Sequence, residues 1–314
     1  MRQLLKRWKN KVLSSAPIDF LIAKSKQIVL PGFQKIALYD VTLFFYRQIT
    51  STNLTERASS IAFNLIMAIP PAIIFFSTLI PFFPISHQFT EQLHQLIRDI
   101  IPGEKNNTAI IAFIDDFIYK PKTGLLSFGL LLALYFSTNT MMGISHSFNR
   151  DYIGFTKRKN FHNRWVAVKL TVILFLLVIL CVLLLVMQGY VLDWLGIENK
   201  DIRALLINGR WVAIILLFFF IISFIYRYAP AVQKKWGLMN PGSILATFLM
   251  LVFTIVFTYW VNHFSNYNKL YGSIGTIMML MVLIYFNSIV LLIGFELNVS
   301  ISSLRKLSDD RKKT

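Results

Sequence analysis

One carboxylate stands inside long apolar sequence. Glu296, in Gly294-Phe295-Glu296-Leu297-Asn298, is the only acidic side chain within six apolar stretches of this chain. A charge in hydrocarbon is costly unless paired, so such a residue is a candidate for function. Arg227, Arg150 and Lys169 stand near the ends of neighbouring stretches, and one of them is the expected partner of Glu296. A pair of this kind reads either as a structural anchor at the membrane interface or as a gate or proton-coupled site. Asn64, Asn139 and Asn287 lie deeper in the apolar stretches. An amide there seeks a partner on another helix, worth about 0.6 kcal/mol on average. The default reading is helix glue; amides facing one cavity would line a polar path. Glu296, Arg227, Asn64, Asn139, Asn287 and Arg150 are therefore the candidate polar path or gate.

Backbone chemistry adds a second set. Pro70-Pro71 falls in the middle of the first apolar stretch, where the missing N–H donors and the clash with the preceding turn predict a kink or break. A broken helix beside Asn64 would expose carbonyls to a cavity; a kink for packing is the plainer reading. Gly272, Gly275 and Gly294 permit close backbone approach along the last stretch.

Catalytic groups are sparse. His87, Glu91 and His94 share a helical face, but the spacing is not His-Glu-x-x-His and no third ligand accompanies them, so no metal site is expected. His146, His162 and His263 are scattered, and Asp115-Asp116 reads as a solvated pair. There is no Gly-rich phosphate loop, no nucleophile elbow and no carboxylate cluster for Mg²⁺. Neither a catalytic residue nor a cofactor is expected.

The elements that must hold these residues follow from hydropathy. The chain of 314 residues is 55% hydrophobic and 15% charged, with mean hydropathy +0.58, where a soluble domain carries roughly a quarter charged residues. About 20 apolar residues cross a bilayer, and six stretches meet that need: 60–83, 123–148, 165–187, 211–228, 241–262 and 272–297. The net charge of +17 gathers between them. Lys and Arg crowd the leading segment, the second-to-third and fourth-to-fifth connections and the tail, and thin out in the others, which places both termini in the cytoplasm. That pattern accounts for the charge through anionic headgroups, with no nucleic acid needed. The single Cys181 lies in an apolar run, which excludes an intrachain disulfide. The basic start lacks the apolar core of a cleaved signal peptide, so the first span is expected to direct insertion.

Residues 1–59 read as a basic cytoplasmic and interfacial segment. Phe33, Ile36, Ala37, Val41, Phe44, Phe45 and Ile49 form a stripe interrupted by charge, which predicts an interfacial helix. Residues 87–119 predict two outer amphipathic helices, one on each side of Pro102, and residues 298–314 a basic cytoplasmic tail.

Several motifs occur together. Tyr271-Gly272-Ser273-Ile274-Gly275 opens the stretch that closes on Gly294-Phe295-Glu296-Leu297-Asn298; Tyr226-Arg227-Tyr228-Ala229-Pro230 precedes Pro241-Gly242; Gly124-Leu125-Leu126-Ser127 leads to Phe148-Asn149-Arg150; and Arg57-Ala58 runs on to Pro70. In these, from about Thr55 to Ser300, the chain resembles the YihY/BrkB (virulence factor BrkB-like) family of bacterial inner-membrane proteins. Asn64 and Met67-Ala68 depart from that family's pattern. The resemblance implies a six-span inner-membrane protein, in a family linked to envelope lipid export and serum resistance and once labelled ribonuclease BN. The residues oppose the last label, since nuclease chemistry needs groups this chain does not display.

The expected fold is an all-α integral membrane protein, a bundle of about six transmembrane helices with interfacial amphipathic helices. The leading functional expectation is a transporter-like protein that moves an envelope lipid or amphipathic solute. The alternative is a structural or scaffolding membrane protein without transport activity, and a membrane-associated ribonuclease comes last. Expected partners are membrane lipids, anionic headgroups at the cytoplasmic face, and a lipid or small-molecule substrate. Oligomeric state is left open.

Overall fold

The computed structural model describes residues 23–34, 36–79, 87–100, 107–108, 110–112, 115–116, 123–150, 152–156, 158, 160–186, 209–263 and 266–311. Its named elements are all helices: α1 Leu38–Ser51, α2 Leu54–Leu79, α3 His87–Ile100, α4 Thr123–Phe148, α5 Asn160–Val186, α6 Arg210–Tyr228, α7 Pro241–His263 and α8 Asn266–Arg311. Six of them, α2 and α4 to α8, are long and apolar enough to cross a membrane. Only 17% to 28% of each crossing window is buried inside the protein. The rest is apolar surface, including Phe63, Leu131, Leu176, Val212, Phe248 and Ile255, that water would not tolerate and lipid does. The buried positions are instead rich in small residues: Ala58, Ala62, Ala133, Ala167, Ala246, Ser223 and Ser243. That inversion is how membrane helices gain close van der Waals contact without a hydrophobic driving force.

The closest helix pair is α2 against α4, antiparallel and in register. Arg57 reaches the carbonyl of Ser147, and seven residues on the Asn64 carbonyl accepts from Thr140, seven residues back on α4. Eleven residues further the backbone of Phe75 meets Gly129, where an added Cβ would lie 3.6 Å from the Phe75 nitrogen. Pro70 and Pro71 lie inside this contact, yet α2 is helical from Leu54 to Leu79. Of the expected kink or break, the break is absent: Pro71 is buried against the bundle, and packed neighbours carry a membrane helix through proline.

Two expectations about boundaries change. The first span starts at Leu54 and not at residue 60, so Arg57 lies in its first turns and not in a loop. The last helix continues to Arg311, so most of the expected basic tail is helical, with Asn298, Val299, Ser300, Ile301 and Ser303 buried. The stripe of the leading segment packs on that extension: Phe33, Val41 and Ile301 form one buried cluster with Ile36, Leu38, Leu297 and Leu304. Phe33 and Val41 of that stripe thus cover protein. Of the outer helices, α3 turns Leu93, Leu96 and Ile97 inward and touches α5. Most of the second predicted outer helix lies outside the described residues.

At the α7–α8 crossing, Asn240 caps α7 through its side-chain oxygen, which accepts from Ser243 N at 2.8 Å, with Pro241 as the first helical residue. The same oxygen accepts from Asn298 Nδ2 at 2.6 Å, and Asn298 Oδ1 accepts from Gly242 N at 2.9 Å. Gly242 and Gly294 lie backbone to backbone beneath this bridge.

Candidate functional site

The charged side chains gather where α2 begins, α4 ends, α5 begins, α6 ends and α7 begins, all around the middle of α8; this is the basic end of the bundle. Buried positions on α2 repeat as Arg57, Ala58, Ile61, Ala62, Ala68, Pro71 and Phe75, so the stripe that packs the helix also carries Arg57 inward. There Arg57 Nη1 meets Glu296 Oε1 at 2.5 Å, with the two side chains 5% and 0% exposed. Arg57 Nη2 donates to the Ser147 carbonyl at 2.6 Å, one of the unsatisfied carbonyls at the α4 C-terminus, where a cation is favoured. Removing one partner of such a buried pair typically costs 3–5 kcal/mol, because the other charge is left in a low dielectric.

A third group completes the cluster. Tyr152, in the connection between α4 and α5, donates its phenol hydrogen to the same Glu296 Oε1 at 2.7 Å. Burial pushes the Tyr152 phenol above its ordinary range and the Glu296 charge pushes it further, so it stays a donor. Glu296 Oε2 and Arg57 Nε have no hydrogen-bond partner among the described residues. Aromatic rings wall the site: Phe295 packs on Phe148 with centroids 4.0 Å apart, and Tyr152, Phe155, Tyr226 and Trp236 surround Phe295. This apolar wall keeps the ion pair strong.

The strap carrying Tyr152 is tied down locally. Tyr152 to Phe155 form a turn closed by Phe155 N to the Tyr152 carbonyl, and Gly154 takes φ +93° at its third position, the place a type II turn reserves for glycine. The strap then pairs with the segment after α6: Thr156 N donates to the Ala231 carbonyl and Gln233 N to the Gly154 carbonyl. Asn149 Oδ1 accepts from Ala231 N at 2.6 Å, and Arg158 donates to the Ala229 and Pro230 carbonyls at the α6 C-terminus.

Beside the strap opens a cavity of about 500 Å³, lined among others by His146, Asn149, Arg150, Tyr152, Arg158 and Asn163. Tyr152 thus belongs both to the cavity wall and to the buried ion pair.

Of the residues singled out by sequence, the structure brings Glu296 and Arg150 to this region, with Arg150 on the cavity wall and exposed. The partner of Glu296 is Arg57, not Arg227, Arg150 or Lys169. Arg227 lies 5.6 Å from the Tyr228 ring, and Lys169 is exposed on α5. Asn64 Nδ2 donates to the Ser60 carbonyl of its own helix and is the group an added Cβ at Gly143 would strike. Asn139 is half-buried on α4. Asn287 sits nine residues before Glu296 on α8, about 14 Å away and half a turn around, so the two face opposite sides. Its Oδ1 is buried without a partner among the described residues. The amides and Glu296 do not meet as one group. Gly294 packs at the α7 crossing and Gly275 is buried, while the surroundings of Gly272 lie outside the described residues. Likewise His94 Nε2 lies 2.8 Å from Asp115 Oδ1, Glu91 is exposed, and the His87 side chain is outside the described set. Among the described residues no group of three or more His, Cys, Asp or Glu is placed to hold a metal ion.

Sequence reasoning missed Arg57, Tyr152, Arg158 and the Asn240–Asn298 bridge. The signal for Arg57 was its place on the buried stripe of α2. Tyr152, in a short connection, offered none.

Comparison with known proteins matches the Virulence factor BrkB family profile to residues 45–314, and the chain belongs to that family. It is 27% identical over 259 residues to a Bacillus subtilis (strain 168) protein named ribonuclease-like protein YfkH, covering 81% of this chain and 92% of that one. A UPF0761 membrane protein of Histophilus somni (strain 2336) is 21% identical over 86% of this chain and 92% of its own length. Another from Stenotrophomonas maltophilia (strain K279a) is 23% identical over 83% of this chain, which spans 61% of that relative's length. No solved structure matches.

Proposed function

We propose that this BrkB-family membrane protein moves an amphipathic molecule, an envelope lipid or lipid-like solute, between the leaflets or across its membrane, with the basic end of the bundle in the cytoplasm. The observation that carries the reading is Tyr152, which lines an open polar cavity and at the same time hydrogen-bonds a fully buried Glu296. A ligand that displaces the Tyr152 hydroxyl would leave Glu296 with Arg57 alone and loosen the strap between α4 and α5. That gives occupancy of the cavity a route to the packing of α2 against α8, and so to two states of the bundle. Inner-membrane placement with cytoplasmic termini accords with the excess of Lys and Arg at this end.

The test is reconstitution of the purified chain in liposomes with fluorescent lipid or solute in one leaflet or lumen. Movement above empty vesicles, slowed in Tyr152→Phe, supports the reading. No movement by correctly folded protein overturns it.

A structural role is the second reading. It is favoured by the hydrogen bond of Asn64 within its own helix and by the Asn240–Asn298–Gly242 bridge, which ties helices together. Under it, single replacements of Glu296 or Tyr152 lower abundance and nothing else. The ribonuclease name of the Bacillus relative finds no supporting constellation among the described residues.

A further inference from the structure

The structure assigns the cavity at the basic end to a phosphate-bearing lipid headgroup, held by Arg150 and His146 against the fixed charge of Arg158. This rests on the reading of the chain as a lipid-handling membrane protein and specifies the group that its cavity receives.

Three observations converge. First, the lining includes two guanidinium groups and an imidazole, and among the described residues that line it none is acidic. Asn149, Asn160 and Asn163 supply neutral hydrogen-bonding groups around them. Among the described residues, the carboxylate that meets the lining Tyr152 is Glu296, and it is already engaged by Arg57. Second, Arg158 is anchored: its Nη groups hold the carbonyls of Ala229 and Pro230, so its charge stays in place without a ligand. Arg150 is exposed and, among the described residues, carries no such bond, leaving its planar fork for a bidentate oxyanion. Third, α5 starts at Asn160 on the cavity wall, and the positive end of a helix dipole adds to the same field.

The depth argues for a lipid and not a soluble anion. Phe161 and Trp165, on the first turns of α5 next to the cavity, are 75% and 52% exposed and pack edge to face. Exposed tryptophan of this kind marks the level of headgroups. Ile153 on the cavity rim is exposed as well, giving an acyl chain a surface to leave along. A volume near 500 Å³ is enough for a phosphate with a small polar substituent.

The experiment uses the full chain in detergent micelles, with short-chain phosphatidylglycerol, short-chain phosphatidylcholine and inorganic phosphate as probes, and binding read by native mass spectrometry or calorimetry. Phosphatidylglycerol is expected to bind in a one-to-one complex that weakens with salt. Arg150→Gln and His146→Gln should each weaken it roughly tenfold, in line with the loss of one charge-assisted hydrogen bond, and Arg150→Lys less. The control Lys234→Gln/Lys235→Gln, which removes two exposed charges outside the cavity, should leave it unchanged. Equal weakening by that control would show diffuse surface attraction and overturn the assignment, as would phosphatidylcholine binding equally to wild type and Arg150→Gln. Inorganic phosphate binding as tightly as the lipid would overturn the lipid source. A circular dichroism spectrum matching wild type keeps each variant informative. Headgroup binding without flux would sink translocation and leave this site standing. Flux that is indifferent to Arg150 and His146, with no binding, would do the reverse.

Discussion

Gly294 on α8 and Gly242 on α7 cross with their backbones in contact: a methyl group added at Gly294 would lie 2.6 Å from the Gly242 carbonyl oxygen and 2.5 Å from the Tyr226 hydroxyl. Neither obstacle is a flexible chain end, since Tyr226 is fully buried and its hydroxyl donates to the Leu291 carbonyl at 2.6 Å. Gly294→Ala must therefore push α7 from α8. The expected cost is about 1–3 kcal/mol, the usual range for overpacking, seen as a lower unfolding midpoint in a denaturing-detergent titration. An unchanged midpoint would contradict the crossing.

The buried pair of Arg57 and Glu296 predicts a non-additive cycle. Arg57→Met and Glu296→Gln alone each leave one uncompensated polar group in the bundle and should cost about 3–5 kcal/mol. The double variant should be milder than the two singles summed, by roughly 1–3 kcal/mol of coupling. Additive losses would mean that the two side chains do not sense one another.

Tyr152 predicts a pH window. Its phenol is raised by burial first and by the Glu296 charge second, so the folded value lies above the unfolded value of about 10. The stabilisation is fully present below pH 10 and is lost as pH rises through the folded value. The wild-type minus Tyr152→Phe difference in stability should be flat from neutrality to about pH 10 and shrink above it. A difference that falls between pH 6 and 8 would assign the proton elsewhere.

The α1–α8 clasp gives a fourth test. Ile301 is 2% exposed beside Phe33 and Val41. Ile301→Asp should free α1 and expose residues 36–53 to limited proteolysis, while the transmembrane core stays intact. Unaltered cleavage there would argue against the clasp.

Much of the architecture was legible because hydrocarbon is a demanding solvent. A run such as Trp165 to Val186 admits one interpretation, and the 211–228 and 241–262 stretches emerge as α6 and α7 almost unchanged. Glu296 was legible as an anomaly for the same reason. Its partner was not. Charge in the sequence near residue 57 looks like one more loop cation, and only the in-register packing of α2 on α4 turns it inward. Tyr152 was hidden more completely, because a strap held by backbone pairing and a single phenol has no periodicity to betray it. The length of α8 was misjudged where the basic tail was expected from residue 298 on, since Asn298, Ser300 and Ser303 are buried against neighbouring elements.

The 46 residues of α8 make a rod of about 69 Å, more than twice the roughly 30 Å thickness of a hydrocarbon core. Such a rod is a lever. With its pivot near the glycine crossing, a rocking motion of about 5° would swing the Arg311 end by roughly 2 Å, helical rise setting the arm. The α1 segment clasped on that far part through Phe33, Val41 and Ile301 would be carried along with such a shift.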